Sequence, residues 1–177
     1  MKEFENILQF NKSTWQDLPD YGLYAEQLVS YIEVSLKCYF NTDFLTVNMI
    51  NNYAKMGIIP KARGKKYYRE HIAMLIIICI LKPMLPMSSI KDAMELQINI
   101  MGIEKAYNEF MQVLDGSMKN ILEDFNPEKN YRFQGFVAKP ENVSLTFVVH
   151  AFCFHILSNK IIERKGLYQL AKNSDIN

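Results

Sequence analysis

The stretch TVNMINNYAKMGIIPKARGKKYYR, residues 46–69, governs how the rest of the chain is read. Its first half has helical rhythm: Val47, Ile50, Tyr53 and Ala54 share one face, while Asn48, Asn51, Asn52 and Lys55 share the other. Thr46 is placed to cap this helix by accepting a hydrogen bond from its first turn. Gly57 stands where a left-handed residue ends a helix, and Pro60 blocks its resumption. The following residues, 58–68, offer short β-prone ends around Arg63-Gly64, the pattern of a small hairpin. Asn is a mediocre helix former, so three on one face point to something they must bond.

Charge singles out the same region. Residues 46–71 hold six Lys/Arg (Lys55, Lys61, Arg63, Lys65, Lys66, Arg69) against one acid, Glu70. That local balance of +5 sits in a chain whose total is +1, which leaves −4 elsewhere. Such asymmetry is the electrostatic footprint used for nucleic acid.

Working outward, the 177 residues are 49% hydrophobic and 22% charged, enough apolar material for a substantial core. Cys38, Cys79 and Cys153 are odd in number and widely spaced, which suits reduced core residues and a cytoplasmic location. The opening MKEFENILQF shows no export signal. The longest apolar run, residues 72–81, is far shorter than the ~20 residues a spanning helix needs, so no membrane partner is expected.

Helices are expected at 23–40, where Leu28, Val29, Ile32 and Leu36 repeat, and at 70–82, an apolar run that suits a buried helix or strand. Pro83 ends that run, and Ser89 with Asp92 resembles a capping box opening a helix at 90–98. Ile103, Tyr107, Phe110, Leu114, Met118, Ile121 and Phe125 give a near-heptad stripe interrupted by Gly116. Residues 126–142 read as a connection with an extended piece at 131–137, and a last helix spans 143–165. Two domains are expected, 1–98 and 99–177, the second serving dimerisation or ligand sensing.

The stretch YAKMGIIP, the basic residues 61–67, the helix entry at Arg69-Glu70-His71-Ile72 and the MSSI start at residue 87 together resemble the MerR-type winged helix-turn-helix of bacterial regulators. More narrowly, MINNYAKMGIIP followed by KKYYREHIAMLIIICILK resembles bacterial proteins grouped as a domain of unknown function with a MerR-like DNA-binding region. The resemblance implies a mainly α fold: a winged helix-turn-helix with a small β-hairpin wing plus additional C-terminal helices. It makes 47–56 the recognition helix and 61–69 the wing. Asn48 and Asn51 stand where MerR regulators commonly carry Arg, Asn52 replaces the first of two adjacent Tyr, and Tyr68 replaces a Ser or Thr cap.

Base contacts are accordingly expected from Asn48, Asn51 and Asn52, since Asn can bond adenine N6 and N7 together. Phosphate contacts are expected from Thr46, Tyr53, Lys55, Lys61, Arg63, Lys65, Lys66 and Arg69. Tyr67 is expected to pack, and Tyr68 to pack or stack on bases. The partners expected are double-stranded DNA, a second copy of the chain and a small-molecule effector. The competing reading is a protein-interaction or small-ligand helical module that retains the fold without binding DNA.

His150, Cys153 and His155 invite a metal or a nucleophile, but His155 lies ~140° around the helix from His150 and ~160° from Cys153, and one helix cannot close a tetrahedral site. They read as core or pocket lining. The ten Met residues read as core filling. Without a phosphate loop, nucleophile elbow or carboxylate pair, neither enzymatic activity nor a metal or cofactor is expected.

Overall fold

The computed structural model describes residues 2–40, 44–123 and 138–166. It is mainly helical: α1 (Lys2–Asn11), a 3-10 turn (Trp15–Asp17), α2 (Ala25–Leu36), α3 (Val47–Lys55), α4 (Arg69–Leu81), α5 (Met87–Met101), α6 (Ile103–Glu123) and α7 (Val143–Glu163). No strand longer than a single bridge occurs among the described residues. The expected extended piece at 131–137 and Phe125 lie outside them.

The chain divides into two compact units, Ser13–Met111 and the combination of Met1–Lys12 with Gln112–Asn177. In the first, α4 is the centre. Ten of its residues are buried, and α2 and α5 both pack against it, while α3 packs against α2. Burial on nearly every side is why periodicity could not separate helix from strand there. Leu28, Ile32 and Leu36 are the buried stripe of α2. Trp15 joins this unit by an edge-on contact with Tyr107 at 6.3 Å and a 2.8 Å hydrogen bond from its backbone N–H to Asn108 Oδ1.

Two boundaries differ from expectation. α5 begins three residues early, with Pro86 (φ −66°) as its N-cap, so Ser89 and Asp92 lie inside the helix and form no capping box. The fixed φ of proline organises the chain entry, which leaves Ser89 nothing to cap. α6 runs unbroken through Gly116, whose missing side chain faces open space. A lone Gly costs a helix only ~1 kcal/mol, less than the flanking burial of Leu114 and Met118 supplies.

In the second unit, α7 is the most apolar element. By length and composition it could cross a membrane, a test that a core helix also passes. Its buried residues include Val149, Phe152, Cys153, Ile156 and Leu157.

Candidate nucleic-acid interface

α3 is defined at both ends by its own sequence. Thr46 Oγ1 accepts a 3.2 Å hydrogen bond from Met49 N–H. At the other end Gly57 adopts φ +65°, Ile58 N–H reaches Tyr53 O at 2.9 Å, and Gly57 N–H reaches Ala54 O at 3.2 Å. These paired bonds form a Schellman motif, which satisfies carbonyls the helix end would otherwise leave open. Between the caps, Ile50 and Tyr53 are buried, and Asn48, Asn51, Asn52 and Lys55 are exposed. The three amides therefore stand on the surface, as their spacing implies. Tyr53 stands apart from the other site residues: its ring is 6% exposed, and burial raises its phenol pKa.

The basic segment that follows is a tight turn. Arg63 and Lys66 exchange hydrogen bonds of 2.9 and 3.0 Å, and Gly64 and Lys65 between them both adopt positive φ, +57° and +65°. Left-handed geometry at both central residues marks a type I′ turn. In place of a two-stranded wing there is this turn with its one bridge, plus a second antiparallel bridge between Tyr67 and Leu23, with both bonds at 2.8 Å. Pro60 on one side and the start of α4 on the other leave no room for longer strands.

Gly22 explains the close approach beside that second bridge. A Cβ there would lie 2.9 Å from Lys66 Cβ and 3.0 Å from Tyr68 Cζ.

His71 holds the turn to α4. The ring is fully buried, Nδ1 accepts a 3.0 Å hydrogen bond from Tyr68 N–H, and Nε2 faces Lys61 O at 3.4 Å. Because Nδ1 must offer a lone pair, the proton belongs on Nε2, which donates to Lys61. Tyr67, 5% exposed, meets the His71 ring edge-on at 5.3 Å, so it packs as expected.

The basic residues fall into two groups. Arg63 forms an ion pair with Glu70 and lies over the Tyr68 ring at 4.4 Å. Arg69 Nε donates to Leu18 O at 3.0 Å, with its guanidinium 6.0 Å from the Trp15 ring centroid. Lys66 is half-buried, its ammonium 5.3 Å from the Tyr24 ring. Lys55, Lys61 and Lys65 are fully at the surface. Lys91 lies near the end of α3, 3.9 Å from where a Gly57 side chain would begin, and pairs with Glu95 at 3.7 Å. Sequence reading passed over it, because only folding brings α5 to that point.

A family model described as a domain of unknown function (DUF1836) matches residues 13–110. The chain belongs to the DUF1836 family. The DUF1836 region coincides with the compact unit Ser13–Met111 to within one residue and contains every surface residue just described. Comparison with curated proteins and with solved structures gave no match.

The second unit holds the polar pair that sequence reading missed. His150 Nδ1 lies 2.9 Å from Thr146 O and 3.0 Å from Ser117 Oγ, and both side chains are buried. An Nδ1 that donates to a carbonyl cannot also take the serine proton, so the contact is an anchor, not a nucleophile with its base. Cys153 is buried and His155 exposed, so they do not converge. Burial pushes the Cys153 and Cys79 thiols up to about 12, which holds them protonated and unreactive. Among the described residues no group of three His, Cys, Asp or Glu is arranged to hold a metal.

Proposed function

We propose that this protein is a sequence-specific DNA-binding protein of the cytoplasm, a transcriptional regulator built on a MerR-like winged helix-turn-helix. In this reading α3 enters the major groove and the turn at Arg63-Gly64-Lys65-Lys66 is the wing. The observation that carries it is the exposed row of Asn48, Asn51, Asn52 and Lys55 beside a turn whose surface is basic. Asn amides read adenine edges, and Lys61 and Lys65 hold phosphates without reading sequence.

Binding to random duplex DNA, followed by fluorescence anisotropy across a salt series, tests this. Lys61→Ala with Lys65→Ala is expected to lower the slope of log affinity against log salt by about 1.8, the release expected from two phosphate contacts. An unchanged slope removes these lysines from the interface. Asn51→Ala is expected to relax base preference by ~1–3 kcal/mol at one position, read by selection from a randomised duplex pool.

A second reading has its own support. Arg63 and Arg69, the two guanidiniums, are already engaged by Glu70 and the Leu18 carbonyl. That is what a protein-interaction or small-ligand module retaining the shape without DNA binding would show. Absence of any duplex affinity at physiological salt would favour it.

A further inference from the structure

α7 carries a second apolar face. Opposite its buried side, Val143, Phe147, Ala151, Phe154, Ser158 and Ile162 are all exposed, with Phe147 at 58% and Ile162 at 70%. At ~100° per residue these six fall within an arc of about 100°. The steps of four, four, three, four and four stay close to the 3.6-residue turn, which keeps all six on one face.

We propose that this seam is a self-association surface, and that its occupant is α7 of a second copy of the chain running antiparallel. Reversing the helix against itself sets Val143 opposite Ile162, Phe147 opposite Ser158 and Ala151 opposite Phe154. Two-fold symmetry repeats each layer. Every phenylalanine then meets a small residue, which lets the helices approach and fills the gap. A parallel pairing sets Phe147 against Phe147 and Ser158 against Ser158, crowding one layer and emptying the next.

Charge follows the same register. Glu141 and Arg164, both exposed and each just beyond a helix end, fall opposite one another at both ends of the antiparallel pair. A parallel pair would oppose like charges. An isologous contact of this kind is the commonest way for a chain to dimerise.

A bilayer fits the face less well. His155 and Asn159 are exposed along its flank, and Asn159 Nδ2 lies 3.1 Å from His155 Nε2. Hydrocarbon would strip water from these polar groups, whereas a helix pair leaves its flanks wet. The surface lies outside residues 13–110 and does not depend on DNA binding.

Sedimentation of the full-length chain is expected to show a monomer–dimer equilibrium. Phe147→Glu and, separately, Phe154→Glu should each raise the dimer dissociation constant at least about ten-fold while leaving helix content unchanged. In a Cys38→Ser background, an Ala151→Cys chain mixed with a Phe154→Cys chain should give a disulfide-linked dimer on mild oxidation, and neither alone should. Three results would overturn the proposal: a monomer at every concentration, equal dimerisation by both Glu variants and the wild type, or self-crosslinking of the Ala151→Cys chain as strong as in the mixture. Flotation of the monomer with phosphatidylcholine–phosphatidylglycerol vesicles would assign the face to lipid instead.

Discussion

His71 shows how one side chain can organise a surface it does not reach. Its ring nitrogens bridge the start of α4 and the carbonyl of Lys61, so the basic turn inherits its position from a buried group. His71→Ala removes two hydrogen bonds and opens a cavity, with an expected cost of about 2–4 kcal/mol by urea unfolding. Lys65 carries a different tension. A lysine at φ +65° is held in a region that favours glycine. Lys65→Gly is therefore expected to raise stability by up to ~1 kcal/mol while weakening DNA affinity, which separates what the fold prefers from what binding needs. The buried thiols give a pH signature. Unfolded Cys79 and Cys153 ionise near their ordinary 9.0, but folded they ionise only at about 12, so stability should decline as pH rises through that window. Unfolding followed at pH 8, 9 and 10 checks the sign.

At the level of elements, α3 is the most self-specified piece. Thr46→Ala is expected to cost ~0.5–2 kcal/mol and Gly57→Ala ~1–2 kcal/mol, both read from thermal unfolding. These ends were legible because a cap is a contact among residues a few positions apart. The face of exposed Asn was legible for the same reason. The helical state of α4 was not separable from a strand by its own residues, since its partners on α2 and α5 enclose it. The start of α5 was misplaced because Ser89 and Pro86 offer rival signals and only one can act. The need for glycine at Gly22 and the partner of His150 depend on contacts across long stretches of chain, which local spacing does not encode.

For the whole molecule, the agreement of the family match with the compact unit Ser13–Met111 gives that segment an identity of its own. Expressed as residues 13–111, it is expected to unfold cooperatively and to keep any duplex affinity of the full chain, measured by anisotropy under identical salt. Thiol labelling of the intact chain at pH 8 should reach half-buried Cys38 first and the other two only on unfolding.

The other unit draws on both ends of the chain, Met1–Lys12 and Gln112–Asn177. That has a consequence in time. During synthesis α1 leaves the ribosome ahead of the intervening DUF1836 region, and the rest of its unit does not exist until that region has been made. The central unit can therefore fold while α1 is still waiting, and α1, although made before that unit, finds its place after it.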